Sequence, residues 1–300
     1  MVKLLIYLAI QAQMFSALDI KNPDWFNQEQ LKFNNNQARI VATGPLKKDL
    51  KKLGIKVSAK SVLVADTTSN KILFEKNGEL VLPLASLTKL MTALVFLDTK
   101  PDWNKSVSMQ ASDQRNGGSS TLKKSETVKV KDLFNTALIA SDNNATVALV
   151  RSTGISEIEF VRMMNEKAKE LNLISSSFKE VTGLSKDNKG TVFDVYLLAK
   201  EAFNQSVISE TLSMSEYSFT SLSGQKHHVK NTNKLLNSYL KPDAGKTGYT
   251  EEAGYCLALR AKNSNQNQVI AIILNSESRD QSFQEAKALI QWSFDNYFWQ

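Results

Sequence analysis

Cysteine and histidine are nearly absent from this chain of 300 residues, which contains one cysteine, Cys256, and two histidines, His227 and His228. A single cysteine excludes an internal disulfide, which suits both a cytosolic protein and an exported bacterial protein with a sufficient core. The histidines are adjacent and lack a patterned partner such as H-E-x-x-H, so a zinc site is disfavoured. Neither lies in a nucleophile-elbow or triad context, so a Ser-His-Asp hydrolase is disfavoured too. Cys256 lies in an apolar strand pattern and is interpreted as a core residue.

The N-terminus has only a short hydrophobic run, residues 4–10, which cannot span a bilayer. Lys3 precedes the run, and the small residues Ser16 and Ala17 follow it where cleavage could occur. This order is typical of a secretory signal peptide. We therefore predict a signal peptide or N-terminal anchor over residues 1–18, and an exported protein of the periplasm or extracytoplasmic cell envelope.

Basic residues are in mild excess, with 37 lysines and arginines against 30 acidic residues and a formal charge of +7. The excess is spread along the chain, as in KKDLKK at 47–52, and is interpreted as a solvated surface. Weak peripheral association with an anionic polymer or with the cell envelope is the alternative. Nucleic-acid binding is disfavoured because no basic run is interleaved with aromatic residues and no binding motif is present.

Residues 19–57 are polar and irregular and are predicted to be a lead-in without core, whereas residues 58–300 are predicted to form the functional domain. SVLVAD and KILFEK, separated by residues 67–70, predict a β-hairpin. Pro83 lies where a helix could start, and that helix is expected to end before Pro101.

The rest of the domain changes from helical to strand patterns. TVKVKDLFNTALIAS is predicted to end in a helix, and SEIEFVRMMNEKAKELNL, TVFDVYLLAKEAFN and FQEAKALIQWSFDNYF are predicted helices. Strands are predicted in AGKTGYT, GYCLALRAK and QVIAIILNS. The pattern predicts an α+β fold: an antiparallel sheet flanked by helices, with an inserted all-helical subdomain at about 99–215. A site is expected in the cleft between such parts.

The apolar stretch LASLTKLMTALVFLD, residues 84–98, contains Lys89 three residues after Ser86. Residues three apart on a helix share a face, so this hydroxyl and this amine can meet. The same S-x-x-K pattern also begins at Ser120, Ser176, Ser223 and Ser238. The apolar setting distinguishes Ser86, because burial lowers the pKa of a lysine and makes Lys89 a candidate general base.

Two further short patterns carry candidate site residues. Ser141 and Asn143 form an S-x-N, in which a hydroxyl and a carboxamide can face one cleft, although the pattern alone favours a helix cap. Lys246, Thr247 and Gly248 form the only K-T-G, which alone favours a turn entering a strand. On a strand edge, its lysine and threonine can face an anionic group, and its glycine lets a ligand backbone approach closely.

S-x-x-K, S-x-N and K-T-G in this order are the signature set of penicillin-binding proteins and serine β-lactamases. Over about residues 58–298 the sequence resembles the low-molecular-weight penicillin-binding proteins, the D-alanyl-D-alanine carboxypeptidase family of serine peptidases. The segments that carry the resemblance are LASLTKLMTALV, LIASDNNATVALV, FVRMMNEKAKELNL, VTGLS, NTNKLL and KTGYTEEAGYCLALRA. The resemblance implies the penicillin-binding or serine β-lactamase-like fold, peptidoglycan peptides as partners, and neither a metal nor an organic cofactor.

The resemblance also implies a two-step acyl transfer. Ser86 would attack the carbonyl between two D-alanines with Lys89 as its base, and water would then hydrolyse the acyl-enzyme. Ser141 would relay a proton to the leaving amine, and Asn143 would orient the acyl donor. β-Lactams would acylate the same serine and act as covalent inhibitors.

The remaining implied site residues bind the substrate. Lys246 and Thr247 would hold its terminal carboxylate, with Arg279 as a further candidate. The oxyanion hole would consist of the backbone N–H groups of Ser86 and Tyr249.

Two features depart from the family pattern. Many members have a second, β-rich domain and a C-terminal amphipathic anchor, whereas this chain stops soon after QWSFDNYF, so such anchoring is not expected. Members usually show Ser-Thr-Ala before the aspartate that follows the TGLS loop. Here Gly190, Thr191 and Val192 precede Asp194.

Three alternatives remain open. A class A β-lactamase needs a glutamate in E-x-x-L-N, but the nearest match has Ala168 in that place. A peptidoglycan-binding protein without turnover is disfavoured because the serine, lysine and asparagine are all intact. A DD-endopeptidase that cleaves peptidoglycan cross-links is the runner-up to the carboxypeptidase, since no C-terminal domain follows.

Overall fold

The structure is a computed structural model that describes residues 44–51, 54–117 and 120–299. The predicted signal peptide, residues 1–18, and most of the predicted lead-in lie outside the described residues. No helix within the described ranges has both the length and the hydropathy that a membrane span requires.

Strands and helices alternate along the described chain. The strands are β1 (Leu46–Lys47), β2 (Ser61–Asp66), β3 (Ile72–Lys76), β4 (Leu82–Pro83), β5 (Ser106–Ser108), β6 (Thr127–Lys129), β7 (Lys189–Gly190), β8 (Glu216–Thr220), β9 (Lys226–Lys230), β10 (Ala244–Thr250), β11 (Gly254–Lys262), β12 (Gln268–Ser276) and β13 (Tyr297–Phe298). The α-helices are α1 (Thr88–Asp98), α2 (Val130–Ile139), α3 (Asn143–Ser152), α4 (Glu157–Glu170), α5 (Val192–Asn204), α6 (Ser206–Ser213) and α7 (Arg279–Asn296). Short 3-10 turns cover Ala85–Leu87, Ala111–Asp113 and Lys234–Asn237.

A five-stranded antiparallel sheet has the order β10-β11-β12-β2-β3. The predicted hairpin β2–β3 and the three predicted late strands are confirmed. β12 pairs with β2, so the late strands join the early hairpin although more than 200 positions separate Ile270 from its partner Ala65. This pairing leaves β10 at one edge of the sheet.

The sheet separates two hydrophobic cores. Ile272 on β12 and Leu63 on β2 face one core, and their neighbours Ile273 and Val64 face the other. This alternation follows from the two-residue period of a strand. Both faces are covered, which explains why β2 and most of β11 and β12 are apolar at successive positions.

Helices α1 to α6 supply the first core. α1 packs against α4 and α5, and residues from Thr88 to Phe96 along it are all buried. Phe96, Trp103 and Phe134 form an aromatic cluster beside it, with ring centroids 5.2 to 6.0 Å apart. A helix that is apolar on every side is stable only when it is surrounded, as α1 is here.

Helix α7 covers the opposite face of the sheet. Its N-terminus is capped by Ser278, whose Oγ accepts the backbone N–H of Gln281 at 3.1 Å. Phe283, Leu289 and Ile290 are buried from this helix. The predicted flanking of the sheet by helices is therefore confirmed.

Several details differ from the sequence prediction. The segment 99–215 is not purely helical, because it holds the strand pair β5–β6 and strand β7. Pro83 lies in β4 and does not start α1, which begins at Thr88 after the 3-10 turn. In the predicted lead-in, β1 pairs with β13 and Val57 is buried. Strands of two or three residues are held by backbone pairing with distant segments. They contain too few side chains to show a periodic pattern in the sequence.

Candidate active site

Ser86 lies in the 3-10 turn that precedes α1, in a strained backbone. Ala85 has a φ of 45°, a left-handed conformation that costs energy for a residue with a Cβ. Gly183, with a φ of 92°, packs against this turn so closely that a Cβ on it would lie 1.9 Å from the Ala85 carbonyl oxygen. The tertiary contact with residue 183 thus holds Ser86 at the surface of the cleft.

Lys89 follows one turn later and is 1% exposed. Its Nζ donates hydrogen bonds to Ser86 Oγ at 3.0 Å, Asn143 Oδ1 at 2.7 Å and the Thr182 carbonyl oxygen at 2.8 Å. Burial lowers the pKa of Lys89 to about 8, although the negative charges of Glu180 and Asp142 partly oppose that shift. A substantial neutral fraction near neutral pH is what a general base requires.

Ser141 lies in the turn between α2 and α3, with a φ of 59°. It does not end the predicted helix, because α2 stops at Ile139 and a second helix, missed from sequence, begins at Asn143. Asp142 caps that helix: its Oδ1 accepts the backbone N–H of Ala145 at 2.9 Å. The helix-cap interpretation of this pattern is thus correct for Asp142, while the two flanking residues, Ser141 and Asn143, line the cleft.

Both ends of the Asn143 carboxamide are bound within the protein. Oδ1 accepts from Lys89, and Nδ2 donates to the Gly117 carbonyl oxygen at 2.9 Å. The amide therefore ties the lysine to the loop before residue 118. Its second N–H and second lone pair are the groups left for a substrate.

Lys246, the first residue of the K-T-G on β10, forms the second lysine–serine pair. Its Nζ donates to Ser141 Oγ at 2.7 Å and to the Thr247 carbonyl oxygen at 2.9 Å. The ammonium is 1% exposed, and burial together with the positive charge of Lys89 lowers the pKa of Lys246 well below its usual range. An anionic ligand beside it would oppose this shift.

Thr247 contacts Thr232, a residue of the cleft that the three motifs did not identify. Its hydroxyl donates to Thr232 Oγ1 at 2.6 Å. Thr232 follows β9 and lies in the quoted segment NTNKLL, which is the only signal in the sequence that could have pointed to it. The contact orients the Thr247 hydroxyl on the cleft wall.

The absence of a side chain at Gly248 also permits a contact within the protein. A Cβ there would lie 2.9 Å from the Ser86 backbone nitrogen and 3.0 Å from Ala85 Cβ, so the missing side chain lets β10 approach the 3-10 turn. The prediction of a close ligand approach did not anticipate this protein contact. The next residue, Tyr249, is half-exposed and stacks on Tyr255 with centroids 4.3 Å apart.

A cavity of about 320 Å³ brings the predicted residues together. Its lining includes Ser86, Ser141, Asn143, Thr247, Gly248, Tyr249 and Arg279, together with Thr232, Gly183 and Cys256. Lys89 and Lys246 lie beneath this surface and reach it through their serine partners. Two hydroxyls, each paired with a buried amine, therefore face one cleft, an arrangement suited to activating a nucleophile and moving protons.

Cys256 and the histidines take no comparable part. The Cys256 thiol is buried, as predicted for a core residue, and burial raises its pKa to about 12. His227 is hydrogen-bonded to Glu126 outside the cavity lining. Across the described residues, no group of three or more His, Cys, Asp or Glu side chains is arranged to hold a metal ion.

Comparison with known proteins matches residues 46–278 to the family model of D-alanyl-D-alanine carboxypeptidase. A D-alanyl-D-alanine endopeptidase of Haemophilus influenzae is 36% identical over 73% of this chain and 76% of its own length. The carboxypeptidase DacF of Bacillus subtilis is 33% identical over 80% of this chain, which spans only 63% of that relative. Penicillin-binding protein D2 of Listeria monocytogenes, solved with cefotaxime bound, superposes with a TM-score of 0.72 at 29% identity, over 81% of this chain and 100% of that one.

The chain belongs to the D-alanyl-D-alanine carboxypeptidase family. The family resemblance and the fold class predicted from sequence are thus confirmed, and the chain is a serine DD-peptidase, a hydrolase. In this DD-peptidase, Glu180 was missed from sequence although its carboxylate lies on the loop that contacts Lys89. Glu180 directly precedes the quoted segment VTGLS, which is the only sequence signal near it, because a single glutamate in a polar loop is ordinary.

Proposed function

We propose that this DD-peptidase cleaves the terminal D-Ala–D-Ala bond of peptidoglycan stem peptides through an acyl-enzyme on Ser86. The observation that carries the proposal is the 3.0 Å contact between Lys89 Nζ and Ser86 Oγ. The amine is buried and its pKa is lowered to about 8, so it can take the hydroxyl proton. Without such a base a serine hydroxyl is a weak nucleophile.

Acylation then joins Ser86 Oγ to the carbonyl carbon of the penultimate D-alanine. Lys89 takes the hydroxyl proton, the C–N bond breaks, and the terminal D-alanine leaves after its amine gains a proton. Ser141 would relay that proton, a role supported by its hydroxyl on the cleft wall and by its hydrogen bond from Lys246. In the second step, water adds to the ester carbonyl, and Ser86 is released with its proton restored.

The other predicted residues bind the two ends of the scissile region. Lys246 and Thr247 suit a terminal carboxylate, because burial lowers the pKa of Lys246 and an anion beside it would stabilise the charged form. Arg279, exposed at the start of α7 and part of the cavity lining, offers a second cation.

The oxyanion hole we propose uses the backbone N–H groups of Ser86 and Tyr249. It is supported by the close approach of β10 to the 3-10 turn, where a Cβ on Gly248 would nearly touch the Ser86 nitrogen. Asn143 would orient the acyl donor through its remaining N–H.

Cleavage of peptidoglycan cross-links is a second candidate, favoured by one observation. The Haemophilus influenzae relative named an endopeptidase matches this chain over 76% of its own length, against 63% for the carboxypeptidase of Bacillus subtilis. Both substrates lie outside the cytoplasm, so we propose an extracytoplasmic location for either activity, with peripheral association with the cell envelope.

Covalent labelling with a fluorescent penicillin tests the nucleophile. We expect the wild-type protein to be labelled and Ser86→Ala to lose the label completely. Ser223→Ala is a matched control, because Ser223 begins another S-x-x-K but lies on the exposed turn between β8 and β9. Labelling that persists in Ser86→Ala would reject Ser86.

Mass spectrometry of products separates the substrates. Free D-alanine from a pentapeptide identifies a carboxypeptidase, and splitting of a cross-linked muropeptide identifies an endopeptidase. A protein that is labelled by penicillin but releases neither product would instead be a binding protein.

A further inference from the structure

The loop at residues 179–188 is organised around one carboxylate. Glu180 accepts hydrogen bonds from the Thr182 backbone N–H at 2.7 Å, the Thr182 hydroxyl at 2.6 Å and the Gly183 backbone N–H at 2.5 Å. It also accepts from Asn188 Nδ2 at 2.9 Å. Hydrogen bonds to an ionised acceptor are the stronger kind, so this side chain fixes the loop's conformation.

The same loop forms two contacts with the reacting groups. The Thr182 carbonyl oxygen accepts from Lys89 Nζ at 2.8 Å. The next residue, Gly183, packs on the carbonyl of Ala85, immediately before Ser86. Glu180 therefore holds the residues that place both the amine and the hydroxyl.

Charge is the second link between Glu180 and the amine. The negative charges of Glu180 and Asp142 both favour the ammonium form of Lys89, and the effect of Glu180 is the larger. Asp142 caps α3. Lys246, from β10, is a further ionisable group near this amine, and the positive charge of Lys89 contributes to lowering the pKa of Lys246. The pKa of Lys89 therefore depends on two opposing effects: burial lowers it, and the negative charge of Glu180 raises it.

Glu180 is absent from the cavity lining, and its oxygens are occupied by the loop. It thus acts through other residues and does not contact substrate. We propose that Glu180 is a positioning residue for acylation: its carboxylate fixes the 179–188 loop against Lys89 and Ser86. This inference rests on the proposed function.

The test is the second-order rate constant for acylation by a fluorescent penicillin, measured from pH 6 to 9.5. For Glu180→Gln we expect the midpoint of the rising limb to move about one pH unit lower, because the charge that stabilises the ammonium is gone. Asp187→Asn is the matched control. It removes one negative charge from an exposed position of the same loop and should leave the midpoint unchanged. An unmoved midpoint in Glu180→Gln overturns the inference.

Glu180→Asp tests the geometric part and serves if the glutamine variant does not fold. It keeps the charge but cannot reach Thr182 and Gly183 together, so we expect the plateau rate to fall about tenfold, the lower end of what mispositioning costs, with the midpoint retained. A plateau equal to the wild type overturns the positioning role. Failure of the wild-type protein to label at any pH would instead reject the proposed function.

Discussion

At the scale of single residues, Lys89 shows how burial changes the pKa of a side chain. A lysine inside an apolar helix is costly, because desolvation disfavours its charge. Here three donated hydrogen bonds stabilise the ammonium form, while burial opposes it and lowers the pKa of Lys89 to about 8. The same desolvation that makes Lys89 unusual as a core residue lowers its pKa toward the range that the proposed base requires.

The acylation rate of the wild-type protein should therefore rise with pH and reach half its plateau near pH 8. A pKa below the usual lysine value means that the neutral amine, the active form, is lost as the pH falls through 8. Lys89→Ala should reduce acylation by at least about 100-fold, as for removal of a general base, with little loss of folding. Penicillin labelling and circular dichroism measure the two effects.

Lys200→Ala is a suitable control, since Lys200 is also partly buried and hydrogen-bonded, to Asn70, away from the cleft. It should acylate at the wild-type rate. Equal rates for Lys89→Ala and Lys200→Ala, or a flat profile between pH 6 and 9, would contradict the base assignment.

At the scale of elements, the site depends on close approach of backbones. The 3-10 turn with Ser86 is contacted on two sides by glycines, Gly183 from the 179–188 loop and Gly248 from β10. Neither contact leaves room for a side chain. The serine's position is thus set by two segments that lie about 100 or more residues later in the chain.

Gly183→Ala should abolish acylation and lower the melting temperature. Its Cβ would overlap the Ala85 carbonyl oxygen at 1.9 Å, in addition to the strain of a positive φ. Gly154→Ala separates the two effects, because Gly154 has a φ of 80° with nothing within 4 Å of its Cβ position. The control should lose about 1–2 kcal/mol of stability and keep acylation. Acylation by Gly183→Ala at the wild-type rate would show that the contact is unimportant.

At the scale of the whole molecule, one sheet serves two cores. Each strand of the sheet's centre contributes alternate residues to the helices α1 to α6 and to α7. Loss of packing on either face therefore affects the sheet that carries β10. We expect the described part of the chain to unfold in a single cooperative step.

Ile272→Ala and Ile273→Ala test this coupling, because these neighbours are fully buried on opposite faces of β12. Each should cost about 2–5 kcal/mol of unfolding free energy. Circular dichroism and penicillin labelling should be lost together on heating in both variants. Labelling that outlasts the main unfolding transition of Ile273→Ala would show that the face covered by α7 unfolds separately.

The sequence by itself predicted most of the longer elements and the candidate reacting groups. Periodic apolar positions gave the late strands and most helices, and the order of three short motifs gave Ser86, Lys89, Ser141 and Lys246. The spacing of apolar residues is a local property of the sequence, so it predicts these elements without knowledge of the fold. Helix α3 was missed because its polar start, at Asn143, hid the pattern.

Only the tertiary structure decided which of these groups meet. Lys89 reaches Thr182 across 93 positions and Lys246 reaches Ser141 across 105, and both pairings depend on sheet order and helix packing. Glu180 and Thr232 belong to none of the three motifs, because an ordinary loop residue becomes part of a site only through the neighbours that packing gives it. Strand order and the closeness of two backbones are set by the whole core, which no short stretch of sequence encodes.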